Sequence, residues 1–476
     1  MLFFIAIFLI LYTALALKRL DWAILVLIAC LPAYLIRFKL GGLPLTLLEA
    51  MILISFAVWF FKNWLPNLKN LLKNRFQSDK GWTPYPFSWE IIAVIIIAFV
   101  AAGVAEFNAG ALGIWKAYFF EPILLFILIM NVFSDQKGRV ERVEREKIYW
   151  ALLISAAVVA IFAIFQKITG LFIDNPLWAA AATRRVVSFF GYPNAVGLYL
   201  APLILLFTGW LFSLNWKSDG KNFTAQIGKK LIIVGVIIIS LLAVYFARSE
   251  GALAGITAGL IIFGLFAGRR ERWVVIILAI LIVAGVFYFA PAKNFVTEKI
   301  TLHDLSGEIR RLQWKETMTM LSGPRFWLGA GLDNYQTAIA PYHQVGFFFN
   351  RDHLANFDAA LHASAAMRAK YWQPVEIYLY PHNIFLNFWS ELGLAGALLF
   401  TWIILKYLFI ALKLTVRLNR QKTAEKYLTL GLATAMVAII IHGLVDVPYF
   451  KNDLAAMFWL LVALLGAARH YAVPRA

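Results

Sequence analysis

The sequence predicts an all-α polytopic membrane protein of about 12 to 13 transmembrane helices with one large extracytoplasmic loop. Hydrophobic residues make up 62% of the 476 residues and charged residues only 15%, and the mean hydropathy is +0.75, beyond the range of ordinary soluble domains. Apolar runs of about 16 to 25 residues recur along the chain, close to the length that crosses a hydrocarbon core of about 30 Å. Because lipid cannot satisfy an open backbone, these runs must be helices.

The apolar runs define the spans in order. They lie near residues 2–17, 21–36, 45–61, 89–105, 112–132, 148–165, 189–212, 231–247, 251–267, 273–290, 383–411, 427–445 and 453–468. The first run lacks a basic start and a small-residue cleavage site, so we expect a retained span instead of a signal peptide. The single cysteine, Cys30, lies within an apolar run and excludes an intramolecular disulfide.

Basic residues alternate between loops. Net charge is +18, and Lys and Arg concentrate in the loops at 18–19, 62–80, 137–147, 217–230, 269–272 and 413–426. By the positive-inside rule these loops are cytoplasmic, and the charge reflects topology and contact with membrane lipids, not nucleic acid. The predicted regions are N-terminal helices at 1–147, a transmembrane core at 148–290, a large outer loop at 291–382 and C-terminal helices at 383–476.

Arginines lie at the outer ends of two spans, where positive charge is not required for topology. Arg184 and Arg185 precede a span whose apolar run contains Pro193 and Asn194. Proline at this point suggests a broken or re-entrant helix start with N–H groups free to bind an anion. The alternative is that the arginines reach lipid phosphates.

Arg248 and Glu250 form a charged hinge between two spans. They either pair with each other or bind a ligand. The glycines that follow, Gly251, Gly255 and Gly259, recur every four residues and predict close helix packing.

The outer loop contains the basic segment "GEIRRLQWKETM". It has helical character, and Arg311 and Lys315 would share one helix face, which is typical of a solvated surface. Arg310 lies beside them.

The segment "YPHNIFLNFWSELGLAGALLF" enters the next span with His382 and Asn383. Asn383 is placed to cap the helix, and the simplest interpretation of His382 is a histidine at the membrane interface. Gly393 and Gly396 are typical of positions where another helix packs closely. The Glu391 carboxylate lies within the span and needs a hydrogen-bond or ion-pair partner. Topology nevertheless brings His382 to the same membrane face as the arginines, which predicts a shared site.

These residue types suit one kind of chemistry. Guanidinium groups bind diphosphate oxygens in bidentate fashion, and histidine can accept a proton from a hydroxyl near neutral pH. Motifs of metal and nucleotide sites are absent from the sequence, so we expect no metal and no cofactor.

Four motifs resemble the O-antigen ligase and Wzy-type polymerase superfamily over about residues 150 to 450. One motif consists of His and Asn, then nine residues, Gly, two residues and Gly. In this chain it corresponds to His382, Asn383, Gly393 and Gly396. The segment "RVVSFFGYPNAVG" is similar to an element that begins with a functional arginine, here Arg185.

Two further elements match, and one departs. "RRLQWKETMTMLSGPRFWLGAGLDNY" is similar to an arginine and tryptophan element, with Arg310 as the arginine, and "HGLVDVPYFKND" supplies Asp446 in an Asp-x-Pro feature. Where the family often has Ser-Arg-Gly, this chain has Ser249-Glu250-Gly251, so Arg248 would supply that arginine.

The resemblance implies inverting, metal-independent glycan transfer within a GT-C-like fold in the bacterial cytoplasmic (inner) membrane, with the site facing the periplasm or exterior. The donor would be a glycan on undecaprenyl diphosphate, and the acceptor a lipid, glycan or protein hydroxyl. His382, Arg185 and Arg310 would be catalytic. The diphosphate would bind Arg184, Arg185, Arg248 and Arg310, supported by Asn194, Asn383, Gly393, Gly396 and Asp446.

Two other functions fit the sequence. A Wzy-type polymerase would join repeat units instead of attaching a finished chain. A multi-span transporter would also have many spans and charged residues, although the sequence shows neither internal duplication nor paired interrupted spans.

Overall fold

The protein is almost entirely helical in the computed structural model, which describes residues 2–40, 43–66, 87–133, 142–214, 223–421 and 423–469. The helices are α1 (Leu2–Lys18), α2 (Leu20–Ala29), α3 (Leu47–Trp64), α4 (Ser88–Val104), α5 (Ala109–Val132), α6 (Arg142–Thr169), α7 (Pro176–Ala179), α8 (Pro193–Ser213), α9 (Phe223–Ala247), α10 (Glu250–Ala267), α11 (Arg269–Tyr288), α12 (Ala290–Thr301), α13 (Leu305–Leu321), α14 (Tyr335–Ile339), α15 (Phe357–Ala363), α16 (Ala365–Tyr371), α17 (Ile384–Arg420), α18 (Glu425–Gly443) and α19 (Asn452–Arg469).

Nine helices within the described ranges are long and apolar enough to span a membrane, namely α3, α5, α6, α8, α9, α10, α11, α17 and α18. Four shorter apolar helices, α1, α2, α4 and α19, occupy the remaining predicted spans. This confirms a polytopic, all-α membrane protein. Parts of the predicted basic loops, at 67–86, 134–141 and 215–222 and at Lys422, lie outside the described residues.

The second predicted span, 21–36, is wrong in its length. Helix α2 ends at Ala29, so its ten residues rise only about 15 Å. A short 3₁₀ turn, Leu31–Leu35, follows with Pro32 near its start, and proline has no N–H with which to continue the preceding helix. The apolar residues of this run therefore fold back at the outer end of the bundle.

Two small two-stranded antiparallel sheets add to the helices, and the sequence patterns did not predict them. Strand β1 (Arg37–Leu40) pairs antiparallel with β2 (Leu43–Thr46). Strand β3 (Gly346–Phe348) pairs with β4 (Trp372–Pro374) within the large outer loop. The first hairpin connects α2 to α3 and borders the cavities described below.

Helix α8 forms the centre of the bundle. It packs against α6, α9, α10 and α18, and most of its spanning segment is buried. A Cβ on Gly209 of α8 would lie 2.5 Å from the carbonyl oxygen of Tyr427, and one on Gly255 of α10 would lie 2.8 Å from that of Ala438. Small residues therefore allow α8 and α10 to approach α18 closely, as the glycine spacing in α10 predicts.

Helix α8 begins later than its apolar run. Pro193 occupies the first turn instead of breaking the helix, because its missing N–H has no helical partner there in any case. The expectation of a broken or re-entrant start is wrong. Asn194 thereby lies at the N-terminal end of the helix, at the outer boundary.

The large outer loop is ordered around α13. Thr317 of this helix hydrogen bonds to Tyr335, with 2.7 Å between the hydroxyl oxygens, and Glu316 accepts a hydrogen bond from the Gln344 N–H at 2.7 Å. Met320 and Leu321 are fully buried against α14. The helical character predicted for the basic segment is confirmed, and α13 is held in a fixed position above the membrane-spanning helices.

Candidate functional site

His382 lies at one end of the helical bundle, immediately before α17. Its backbone has a positive φ of 47°, which a non-glycine residue adopts only when its surroundings hold it there. Its Nδ1 lies 3.0 Å from Oε1 of Gln313 on α13, and the ring packs edge-on against Tyr378, with centroids 5.2 Å apart. The imidazole is thus fixed between the loop helix α13 and the start of α17.

The contact with Gln313 favours one tautomer of His382. When Nδ1 donates to the Gln313 carbonyl oxygen, Nε2 keeps a lone pair. Burial lowers the pKa of His382 below its ordinary 6.5; the Asp446 carboxylate opposes this shift and the Arg310 charge adds to it. At neutral pH the side chain is therefore a neutral base with Nε2 available.

Three distant parts of the chain meet at the turn that follows α18. Asn383 Nδ2 donates to the carbonyl of Leu444 at 3.1 Å, and Arg310 Nε donates to that of Val445 at 3.0 Å. Asn194 Nδ2 donates to Oδ2 of Asp446 at 3.0 Å. Predicted site residues from α8, α13 and α17 thus converge on 444–446.

Arg185 extends this network towards α10. Its Nη2 lies 3.4 Å from Oδ1 of Asn194, and its Nε donates to the carbonyl of Ala247 at 3.1 Å. Burial lowers the pKa of Arg185, and the Arg248 charge acts in the same direction. The Glu250 carboxylate opposes both effects.

Arg248 is the exposed member of this pair. It has a positive φ of 51°, in the hinge between α9 and α10. Glu250 does not pair with it; Glu250 instead forms an ion pair with Lys299 at 2.8 Å. Across the described ranges of the chain, no side chain pairs with the Arg248 guanidinium, which is free to bind a ligand.

Arg184 has a different environment from its neighbour. Its guanidinium donates to the carbonyls of Lys167 at 2.9 Å and Ile168 at 3.3 Å, and to that of Ala179 at 3.2 Å. These groups belong to the end of α6 and to α7, and a basic side chain there satisfies carbonyls that the helix leaves unpaired. Diphosphate binding by Arg184 remains a prediction.

The supporting residues of α17 shape the helix. The side chain of Asn383 caps it by accepting from the N–H groups of Phe385 and Leu386. Gly393 interrupts it with φ 74°, and Gly396 packs closely against Leu392. Glu391 finds a partner in the backbone N–H of Asp333 at 2.9 Å.

His382, Asn194 and Asp446 line one cavity of about 570 Å³. Arg185 and Arg310 support it through Asn194 and the 444–446 turn. Lys451 and Arg37 also line the cavity, together with the aromatic residues Tyr34, Tyr118, Phe190, Tyr192, Tyr378 and Tyr380. Sequence reasoning missed Gln313, Arg37 and Lys451; the one available signal was that Lys451 is a lysine in a loop otherwise poor in basic residues.

The arrangement combines a neutral imidazole, a set of guanidinium groups and an aromatic-lined cavity. A base with a free lone pair can accept a proton from a hydroxyl, and arginines can stabilise a phosphate leaving group. Aromatic faces suit stacking against sugar rings.

Comparison with known protein families gives a match to part of the chain. The family model described as O-antigen ligase matches residues 235–401. The matched segment includes Arg248, Arg310, His382, Gly393 and Gly396. Arg185, Asn194 and Asp446 lie outside it. No curated protein sequence matches the chain.

Proposed function

Because the family model described as O-antigen ligase matches residues 235–401, we propose that the chain is an outward-facing membrane glycosyltransferase. It moves a glycan from an undecaprenyl-diphosphate donor to an acceptor hydroxyl at the outer face of the bacterial cytoplasmic membrane. The observation that carries this proposal is the convergence of Asn383, Arg310 and Asn194 on the 444–446 turn, with Arg185 bonded to Asn194. His382, Asn194 and Asp446 line one cavity, and Arg185 and Arg310 contact Asn194 and the Val445 carbonyl beside it.

Arginines bind the donor diphosphate. Arg185 and Arg248 are near neighbours at the outer end of α9 and α10, and the Arg248 guanidinium is exposed. A diphosphate placed between them would relieve their mutual repulsion and accept bidentate hydrogen bonds. Arg310 adds a third positive charge close to His382.

His382 activates the acceptor. In the proposed step, the acceptor oxygen forms a bond to the anomeric carbon while the bond from that carbon to the diphosphate oxygen breaks. The hydroxyl proton moves to Nε2 of His382, and undecaprenyl diphosphate leaves with the electron pair. Attack opposite to the leaving group inverts the anomeric configuration. The arginines stabilise the negative charge that develops on the leaving oxygen.

Replacement of His382 tests the proposal. His382→Ala in reconstituted proteoliposomes, supplied with a lipid-linked glycan and an acceptor, should lower transfer by about 10²-fold or more, because general base catalysis contributes about that much. His362→Ala is the matched control, since His362 is an exposed histidine of the same loop and its loss should not affect transfer. Full transfer by a folded His382→Ala protein would remove the histidine from the mechanism.

The product separates the ligase from the polymerase. Incubation with a donor that carries a single repeat should give one product if the protein is a ligase, and a ladder of lengths if it is a polymerase. We favour the ligase because the pattern from His382 to Gly396 matches it and because the matched family is described as O-antigen ligase. Solute uptake by proteoliposomes without any glycan transfer would instead support the transporter.

A further inference from the structure

Lys451 lies within an aromatic cage in the wall of the cavity that contains His382. Its Nζ lies 4.6 Å from the ring centroid of Phe190, 5.1 Å from that of Tyr192 and 5.2 Å from that of Tyr34. Such faces attract a cation, but they accept none of its three N–H groups as a carboxylate would. The cage therefore holds the ammonium in place while leaving its hydrogen-bonding capacity unused.

No protein group completes this site. Across the described ranges of the chain, Lys451 Nζ has neither a hydrogen-bond acceptor nor an ion-pair partner, and the buried hydroxyl of Tyr34 in the same cage also lacks a partner. Burial lowers the pKa of Lys451, whereas the nearby charges of Asp453 and Asp446 raise it. The Lys451 side chain is half-buried, so its ammonium stays open to the cavity, whereas a buried hydroxyl without a partner is costly unless a ligand satisfies it.

A second basic side chain lines the cavity. Arg37 lines the same cavity, and it also lines a second cavity of about 800 Å³ bordered by the β1–β2 hairpin. The Arg37 side chain is exposed. Arg37 and Lys451 therefore both present positive charge to the cavity that contains His382.

We propose that Lys451, with the Tyr34 hydroxyl, binds an oxyanion of the substrate, a phosphate or a carboxylate, within the His382 cavity. This inference rests on the proposed function and extends it, because it predicts an acidic substituent on the substrate near the reacting centre. The oxyanion belongs either to the donor diphosphate or to an acidic sugar. The ammonium supplies charge and hydrogen bonds, and the cage fixes its position.

Binding of small probes tests the site without requiring catalysis. Inorganic diphosphate and glucuronate are titrated separately into purified protein by calorimetry at constant ionic strength, with glucose as the neutral probe. Lys451→Met keeps the length of the side chain but removes its charge, and should weaken binding of one anionic probe by about tenfold or more. Weaker diphosphate binding assigns Lys451 to the donor, and weaker glucuronate binding assigns it to an acidic sugar.

Lys426→Met is the matched control. Lys426 Nζ also lies over an aromatic ring, 4.7 Å from that of Tyr427, but it donates to the carbonyl of Ala267 and to Asn419. Its replacement should leave both affinities unchanged. Lys451→Arg should retain part of the binding, and Tyr34→Phe should give a smaller loss. If Lys451→Met does not fold, Lys451→Gln replaces it.

Unchanged affinity of a folded, uncharged Lys451 variant for both anions would overturn the proposal and leave the lysine as a packing element of the cage. A charge-dependent loss of binding in a protein that transfers no glycan would preserve the anion site and reject the proposed function. The two inferences therefore fail separately.

Discussion

At the scale of single residues, the site depends on a histidine that its neighbours hold in one orientation and one protonation state. Gln313 is the hydrogen-bond partner of Nδ1, and burial lowers the pKa of the ring, which favours its neutral form. Asn383, next in sequence, caps α17 and also binds the turn at Leu444. Asn383 therefore shapes the start of the helix, whereas the adjacent His382 faces the cavity.

The protonation state of His382 predicts how transfer responds to pH. Because burial lowers its pKa below 6.5, the neutral form needed to accept a proton is still the major form at pH 6.5. The rate should therefore fall to half of its plateau value only below pH 6.5, as Nε2 becomes protonated. Initial rates at saturating donor, measured with the protein shown to be folded at each pH, check this. A midpoint of the decline above pH 6.5 would contradict it.

Gln313 variants assign this decline to His382. In Gln313→Glu a carboxylate would accept from Nδ1–H and favour the imidazolium, so the decline should move to higher pH. In Gln313→Leu the N–H is left without an acceptor, and the rate should fall about tenfold. A role for Gln313 in packing alone would change stability in these variants but would not shift the pH profile.

At the scale of elements, the break in α17 is what connects the outer loop to the membrane helices. Gly393 has φ 74°, and a Cβ there would lie 2.3 Å from the carbonyl oxygen of Trp327. Leu394 N–H donates to that carbonyl at 3.1 Å, and Ala330 N–H donates to the carbonyl of Ser390 at 2.6 Å. The segment 327–330 thus fits into the break and fixes the loop relative to α17.

Gly393→Ala should therefore destabilise the protein strongly. The extended backbone at positive φ, with ψ 178°, is essentially restricted to glycine and costs a residue with a Cβ about 1 to 3 kcal/mol, and the overlap with Trp327 adds to this cost. Gly235→Ala in α9 is the control, since a Cβ there meets no atom within 4 Å and alanine favours a helix. Thermal unfolding of both variants in detergent measures the difference. Equal melting temperatures would show that the break is dispensable.

The sequence predicted elements better than it predicted their contacts. Spacing alone identified Asn383 as a cap and placed a helix over the segment with Arg310, because these are local properties. It could not distinguish Arg184 from Arg185, although one bonds to the end of α6 and the other to Asn194. It also took Gly393 for a packing notch, because a glycine in an apolar run does not reveal its φ.

At the scale of the whole molecule, the site is assembled from chain segments that only the three-dimensional fold brings together. Gln313 and His382 are separated by most of the outer loop, and Asn194 and Asp446 by more than half of the chain. Topology predicted that the arginines and His382 share one membrane face. It could not predict Lys451 or the β1–β2 hairpin, because their positions depend on packing among α2, α8 and α19.

The placement of this assembly outside the cytoplasm is itself testable. Ala355→Cys, on an exposed part of the outer loop, and Asn419→Cys, at the exposed end of α17, are made in a Cys30→Ser background. Because the basic loops predict that the end of α17 is cytoplasmic, a membrane-impermeant maleimide should label Ala355→Cys on intact spheroplasts and Asn419→Cys only after permeabilisation. The reverse pattern would put the His382 cavity on the cytoplasmic side, where the proposed transfer to an outer acceptor could not occur.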